Sequence, residues 1–66
     1  MDSRRTYHVL TLLRLLQSEE VHSFQAASKL GVSLRTVQRY LRDLRVAGFA
    51  ERNPETGRWF FYDRYR

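Results

Sequence analysis

Read as a helix, the stretch Ser33-Leu34-Arg35-Thr36-Val37-Gln38-Arg39-Tyr40-Leu41-Arg42-Asp43-Leu44-Arg45 separates into two faces. Val37, Tyr40, Leu41 and Leu44 recur at i, i+3, i+4 and i+7, which makes one apolar stripe. Arg35, Gln38, Arg39, Arg42 and Arg45 fall largely on the opposite side. Ser33 is a good N-cap, because its hydroxyl can accept from a free amide of the first turn. Gly48, just beyond Ala47, is a good C-terminal stop. A capped helix with one apolar and one arginine-rich side suggests a rod that is fixed at its back and presents its front to an anion.

Little else in the chain is available to build with. Its 66 residues allow one domain, spanning 1–66, with a small core that is marginally stable alone. It contains no cysteine, so disulfides are excluded and no zinc site is expected. Good local structure or a partner chain must supply the rest. The hydrophobic fraction of 42% is that of a folded protein. The longest apolar segment, Val9 to Leu16, is broken by Thr11 and Arg14 and is too short to span a membrane. No small-residue cleavage site follows it, so no secretion signal is expected. A cytoplasmic, nucleoid-associated location is the expectation. The net charge of +5 comes from twelve basic residues against seven acids, and eleven of the twelve are arginine. Arginine's planar fork suits phosphates and guanine edges.

Taken in order, the chain opens with a polar lead-in, Met1 to Arg4. A helix is expected from about residue 5 to 18, with Val9, Leu12, Leu13 and Leu16 as its stripe. Leu10 and Leu15 widen that band. Either the whole helix is buried, or its margin meets a second chain. Val21 offers a very short strand, and Ser23 another N-cap. A second helix is expected over about 24–30, closed by Gly31, and the third over about 34–47. After Gly48 the period changes. Phe49 to Arg52 is strand-like, Asn53-Pro54-Glu55-Thr56-Gly57 is turn chemistry, and Arg58 to Tyr62 is strongly β-prone. These read as a hairpin over about 49–62. Asp63 to Arg66 reads as a frayed tail.

The expected fold class is mainly α with a small β-hairpin. Two helices joined by a short turn around a glycine make a helix-turn-helix. Ala27 lies four residues before Gly31 and Val37 six after it. The small residue lets the helices cross, the glycine tolerates a positive φ, and the valine pins the second helix to the first. The order helix, short strand, helix, helix, strand, strand is that of a winged helix-turn-helix: a three-helix bundle with a two- or three-stranded antiparallel wing.

The segment LGVSLRTVQRYLRDLRVAGFAER resembles the DNA-binding domain of DeoR-type and WYL-type bacterial transcriptional regulators. Leu30-Gly31-Val32-Ser33, Arg35-Thr36-Val37 and Ala47-Gly48 carry the match, which runs roughly from Phe24 to Arg52. Tyr40 stands where family members commonly have an acid, and the aromatic run Trp59 to Tyr62 is heavier than usual. No ligand-sensing domain has a counterpart here, so no small-molecule effector is expected.

The resemblance implies that the third helix enters the major groove of double-stranded DNA, with its N-terminal residues nearest the bases. Arg35 and Arg39 are then expected to reach guanine O6 and N7, and Gln38 to pair with adenine. Leu34 is expected to touch a thymine methyl. Ser33 and Thr36 are assigned to phosphate, helped by the helix N-terminus, and Arg42 and Arg45 to the backbone. Arg52, Asn53, Thr56 and Arg58 flank the hairpin tip and are expected on phosphates or the minor groove. In a strand Trp59 and Phe61 face one way and Phe60 and Tyr62 the other. One aromatic pair is then left exposed, and exposed aromatic area usually means a partner. A homodimer is expected, formed through Trp59, Phe60 and Tyr62, or Leu10 and Leu15, or both; folding of the tail over the exposed face is the alternative.

Nothing points to catalysis. His8 and His22 stand alone, Glu19-Glu20 has no metal-ligand spacing around it, and no phosphate-binding glycine loop is present. No catalytic residue, metal or cofactor is expected. The expected function is sequence-specific regulation of transcription, as a repressor. Its rivals are a protein-binding winged helix, such as a virus- or plasmid-borne factor acting on polymerase or another regulator, and an architectural DNA-binding protein of recombination or replication.

Overall fold

The architecture follows from two apolar stripes that can be buried only against each other. The computed structural model describes residues 3–66. It contains three helices, α1 (Ser3–Ser18), α2 (Ser23–Leu30) and α3 (Leu34–Ala47), followed by strands β1 (Ala50–Arg52) and β2 (Trp59–Phe61). Helix α1 begins earlier than expected, taking in Ser3 and Arg4 from the lead-in. Met1 and Asp2, the remainder of that lead-in, lie outside the described residues.

Each element contributes to one core. Leu12 and Leu16 come from α1, Ala26 and Ala27 from α2, and Val37, Leu41 and Leu44 from α3; Val21 and Ala50 complete it. Leu12, Val37 and Leu41 are its largest fully buried side chains. Burying such a side chain contributes about 1.5–3 kcal/mol before its entropy cost. Ala26 and Ala27 have almost no side chain to interpose, so α2 and α3 pack closely.

The helix ends are held by specific bonds. Helix α2 does not use Ser23 as its cap. His22 is the N-cap residue, and its backbone N–H donates to Gln25 Oε1 at 3.0 Å. The glutamine three residues on can reach back to that amide, so the cap falls one residue earlier. Gly31 closes α2 at φ 72, where a side chain would be strained. Its N–H and that of Val32 both donate to Ala27 O. Ser33 then caps α3, accepting from Thr36 N–H at 3.1 Å. At the far end Gly48 takes φ 93, and Phe49 N–H donates to Leu44 O at 2.9 Å.

The strands pair antiparallel, with Ala50 opposite Phe61, Glu51 opposite Phe60 and Arg52 opposite Trp59. Pairing runs one step further, since Asn53 N–H donates to Arg58 O at 2.8 Å. On the other edge of β2, Val21 and Trp59 exchange two backbone hydrogen bonds, of 2.7 and 3.0 Å. The short strand expected at Val21 is thus a single bridge.

Two expectations are corrected. The tail is folded back, not frayed. Arg64 N–H donates to Gly48 O at 2.8 Å, and Arg64 Nη2 donates to Arg45 O at 3.2 Å. Arg45 O also accepts from Gly48 N–H at 3.1 Å, so the tail adds a second bond at a carbonyl on the helix end. Leu15 and Trp59 are likewise not surface residues awaiting a partner. Both pack against the core, Leu15 from the side of α1 and Trp59 with Phe61 from the inner face of β2. No helix among the described residues is long and apolar enough to cross a membrane.

Candidate nucleic-acid interface

Burial of Val37, Leu41 and Leu44 fixes the rotation of α3, and everything opposite follows. Leu34, Arg35, Gln38, Arg39, Arg42, Asp43 and Arg45 are all exposed. Arg35 and Arg39 stand one turn apart, about 6 Å along the axis. Arg42 lies in the same exposed band. None of these three arginines is in an ion pair with a described residue. Leu34, 45% exposed, holds an apolar side chain at the helix start beside them.

The N-terminus of α3 divides two residues that had been treated alike. Ser33 Oγ accepts from Thr36 N–H and donates its own hydrogen to Thr36 Oγ1 at 2.8 Å. Its hydroxyl is therefore occupied. The Thr36 hydroxyl accepts there and keeps its hydrogen for an outside acceptor. Ser33 thus holds the Thr36 side chain in place at the start of the helix.

Arg45 differs from the other arginines of α3. Its Nε lies 3.9 Å from Glu51 Oε2, and Arg64 approaches Glu51 Oε1 at 3.5 Å. One carboxylate on β1 thus holds two guanidiniums at the C-terminal end of α3. Arg45 faces the hairpin and is partly neutralised.

At the hairpin tip the four expected residues also separate. Asn53 Oδ1 accepts from Glu55 N–H at 2.9 Å, and Thr56 Oγ1 accepts from Arg58 N–H at 3.2 Å. These side chains shape the turn. Gly57 completes it at φ 77, its N–H donating to Asn53 O at 2.7 Å. Arg52 and Arg58 are left as exposed charges on either arm. Arg58 shares a groove with Phe24, Gln25 and Lys29 of α2, and Lys29 is paired with Glu19.

The outer face of the hairpin carries Phe60, half-buried, and Tyr62, 53% exposed. They line a shallow groove with Glu51, Arg52, Asn53 and Pro54. Leu10, 55% exposed, belongs to α1 and forms no part of that groove.

Sequence reasoning missed Arg5 and Asp43. Arg5 Nη2 lies 3.2 Å from Asp43 Oδ2, which ties the start of α1 to the exposed face of α3. Two adjoining grooves there are lined by Arg5, Thr36, Arg39, Tyr40, Arg42 and Asp43, among others. One signal was present: Asp43 is the sole acid within α3.

The histidines occupy ordinary settings. His8 lies beside Tyr7 and Tyr40, and the His22 ring stacks on Phe24 at 5.2 Å. Among the described residues no three His, Cys, Asp or Glu side chains are grouped to hold a metal ion. No protein-family model, no curated protein and no solved structure matches the chain.

Proposed function

We propose that the chain is a winged helix-turn-helix domain that binds double-stranded DNA and regulates transcription, as a repressor and a homodimer. One observation carries this reading: Arg35, Arg39 and Arg42 stand on the exposed band of a helix capped at both ends, with no ion pair to any described residue. Three guanidiniums on one exposed band set up a positive field that a polyanion complements. The rod's width suits the major groove, and its N-terminal turn offers Leu34, Arg35, Gln38 and Arg39 toward base edges. The Thr36 hydroxyl and Arg42 take phosphates. Arg52 and Arg58 on the hairpin meet the backbone alongside, as a wing does. The resemblance to DeoR-type and WYL-type regulators supports the same assignment and is the ground for repression.

Dimerisation is proposed through the outer hairpin face at Phe60 and Tyr62, with Leu10 as a second candidate surface. The domain measures 31 × 25 × 19 Å. Two copies side by side fit half-sites about 34–36 Å apart, one helical turn of DNA.

The test is selection of bound duplexes from a random pool at several salt concentrations. An enriched palindrome, with affinity falling steeply in salt, is the expected result. An unenriched pool and a flat salt response would remove the reading. The aromatic pair on the outer hairpin face, half-buried Phe60 and exposed Tyr62, favours a second reading, a protein-binding winged helix. That reading predicts that Tyr62→Ala abolishes activity while Arg39→Ala leaves it intact.

A further inference from the structure

A carboxylate at the margin of a proposed DNA-binding face needs a reason. Asp43 is the one acid among the fourteen residues of α3, and it sits one turn beyond Arg39 and next to Arg42. Facing a polyanion, it opposes association. Its partner is not one of those neighbours. Asp43 Oδ2 binds Arg5 Nη2 at 3.2 Å, across from another helix. Both side chains are more than half exposed, at 58% and 57%. The pair is therefore not required for packing, and an exposed pair of this kind adds little stability.

The grooves beside it show what the pair controls. One is lined by Arg5, Arg39, Arg42 and Asp43, with Val46 and Ala47 behind them. The other is lined by Arg5, Thr36, Arg39, Tyr40 and Asp43. Without the Asp43 charge, Arg5 and Arg39 would line both grooves as uncountered guanidiniums, joined by Arg42 in the first and by the Thr36 hydroxyl in the second. That is a set of donors suited to a backbone phosphate.

We propose that Asp43 is a built-in counterion: it holds Arg5 off the DNA backbone and so lowers affinity for duplexes of any sequence. The proposal rests on the DNA-binding reading and makes Asp43 a residue that sets how tightly duplexes are held, not which ones. The mechanism is electrostatic. Phosphate contacts add affinity without sequence information. Neutralising one potential phosphate ligand lowers specific and non-specific binding together. The ratio between the two is left to the base contacts, and the protein is held less tightly on any duplex.

The experiment measures affinity for a random-sequence duplex against salt for four proteins: the natural chain, Asp43→Asn, Arg5→Gln and the double variant. Both positions are exposed, and thermal unfolding checks that each variant folds. Asp43→Asn is expected to raise random-duplex affinity roughly threefold or more and to steepen the logarithmic salt slope by about one phosphate, since Arg5 is released to the backbone. In the double variant the slope is expected to return to that of the natural chain. Asp43→Asn with unchanged affinity and slope overturns the proposal. A double variant as steep as Asp43→Asn alone also overturns it, because Arg5 is then not the group released. A natural chain that binds no duplex at any salt fails at the earlier step, and both readings fall with it.

Discussion

The ring of Tyr65 lies against Gly48. A Cβ built on Gly48 would stand 2.7 Å from Tyr65 Cε2, closer than real Cβ contacts come. Gly48 also holds φ 93 at the end of α3. The helix stop therefore has two requirements, a left-handed backbone and open space for a ring arriving from the tail. Gly31, at φ 72, has only the first, since nothing lies within 4 Å of its would-be Cβ. Gly31→Ala is expected to cost about 1–2 kcal/mol of left-handed strain. Gly48→Ala is expected to cost more, and adding Tyr65→Ala should recover the excess without removing the strain. Urea unfolding of the three variants checks this; equal losses for the two glycines would show that the Tyr65 contact is unimportant.

Ser33→Ala removes the cap of α3 and the hydroxyl that orients Thr36. A loss of roughly 0.5–2 kcal/mol in stability is expected. Ser33→Gly, which keeps the backbone preference, should lose less. Calorimetric melting of both proteins is the check.

Position along α3 should decide what each arginine contributes. Arg39→Ala is expected to lower specific affinity by about 1–3 kcal/mol and to relax preference at one or two base positions. Arg42→Gln should weaken all duplexes alike and reduce the salt slope by about one phosphate. Arg45→Ala should change binding least of the three, because Glu51 already competes for its charge. Titrations against a selected and a scrambled duplex separate these outcomes.

The buried leucines and the exposed one should respond differently. Leu12→Ala and Leu41→Ala each empty a fully buried site and are expected to cost about 2–5 kcal/mol, enough to unfold much of so small a domain. Leu10→Ala should leave the folded monomer within about 0.5 kcal/mol of the natural chain. Tyr62→Lys is expected to weaken self-association in sedimentation without lowering monomer stability. Unchanged sedimentation would move any dimer contact away from the hairpin.

Much of this was readable beforehand, and the reasons are local. The stripe Val37, Tyr40, Leu41, Leu44 faces the core because helical period alone decides it, and Gly31 and Gly48 end helices because few residues tolerate their φ. The alternation of β2 paired Trp59 with Phe61 and Phe60 with Tyr62 by the same kind of rule, but which pair faces inward was settled only by packing against the core. What escaped was decided by contacts between segments distant in sequence. Asp63 to Arg66 looked unattached, yet its partners are Gly48, Arg45, Glu51 and Phe49. Arg5 looked like one of many surface charges until α1 and α3 were packed together. Ser23 lost its capping role to His22 because Gln25 reaches that amide first.

The bridge between Val21 and Trp59 bears on how the domain comes apart. Those two residues exchange both of their backbone hydrogen bonds across a long span of chain. A short two-stranded hairpin is marginal by itself in water. Here its inner strand is tied to the segment joining the first two helices, so it cannot melt while they stay in place. The amides of Val21 and Trp59 should then exchange with deuterium only when the whole molecule opens, and with one common opening free energy.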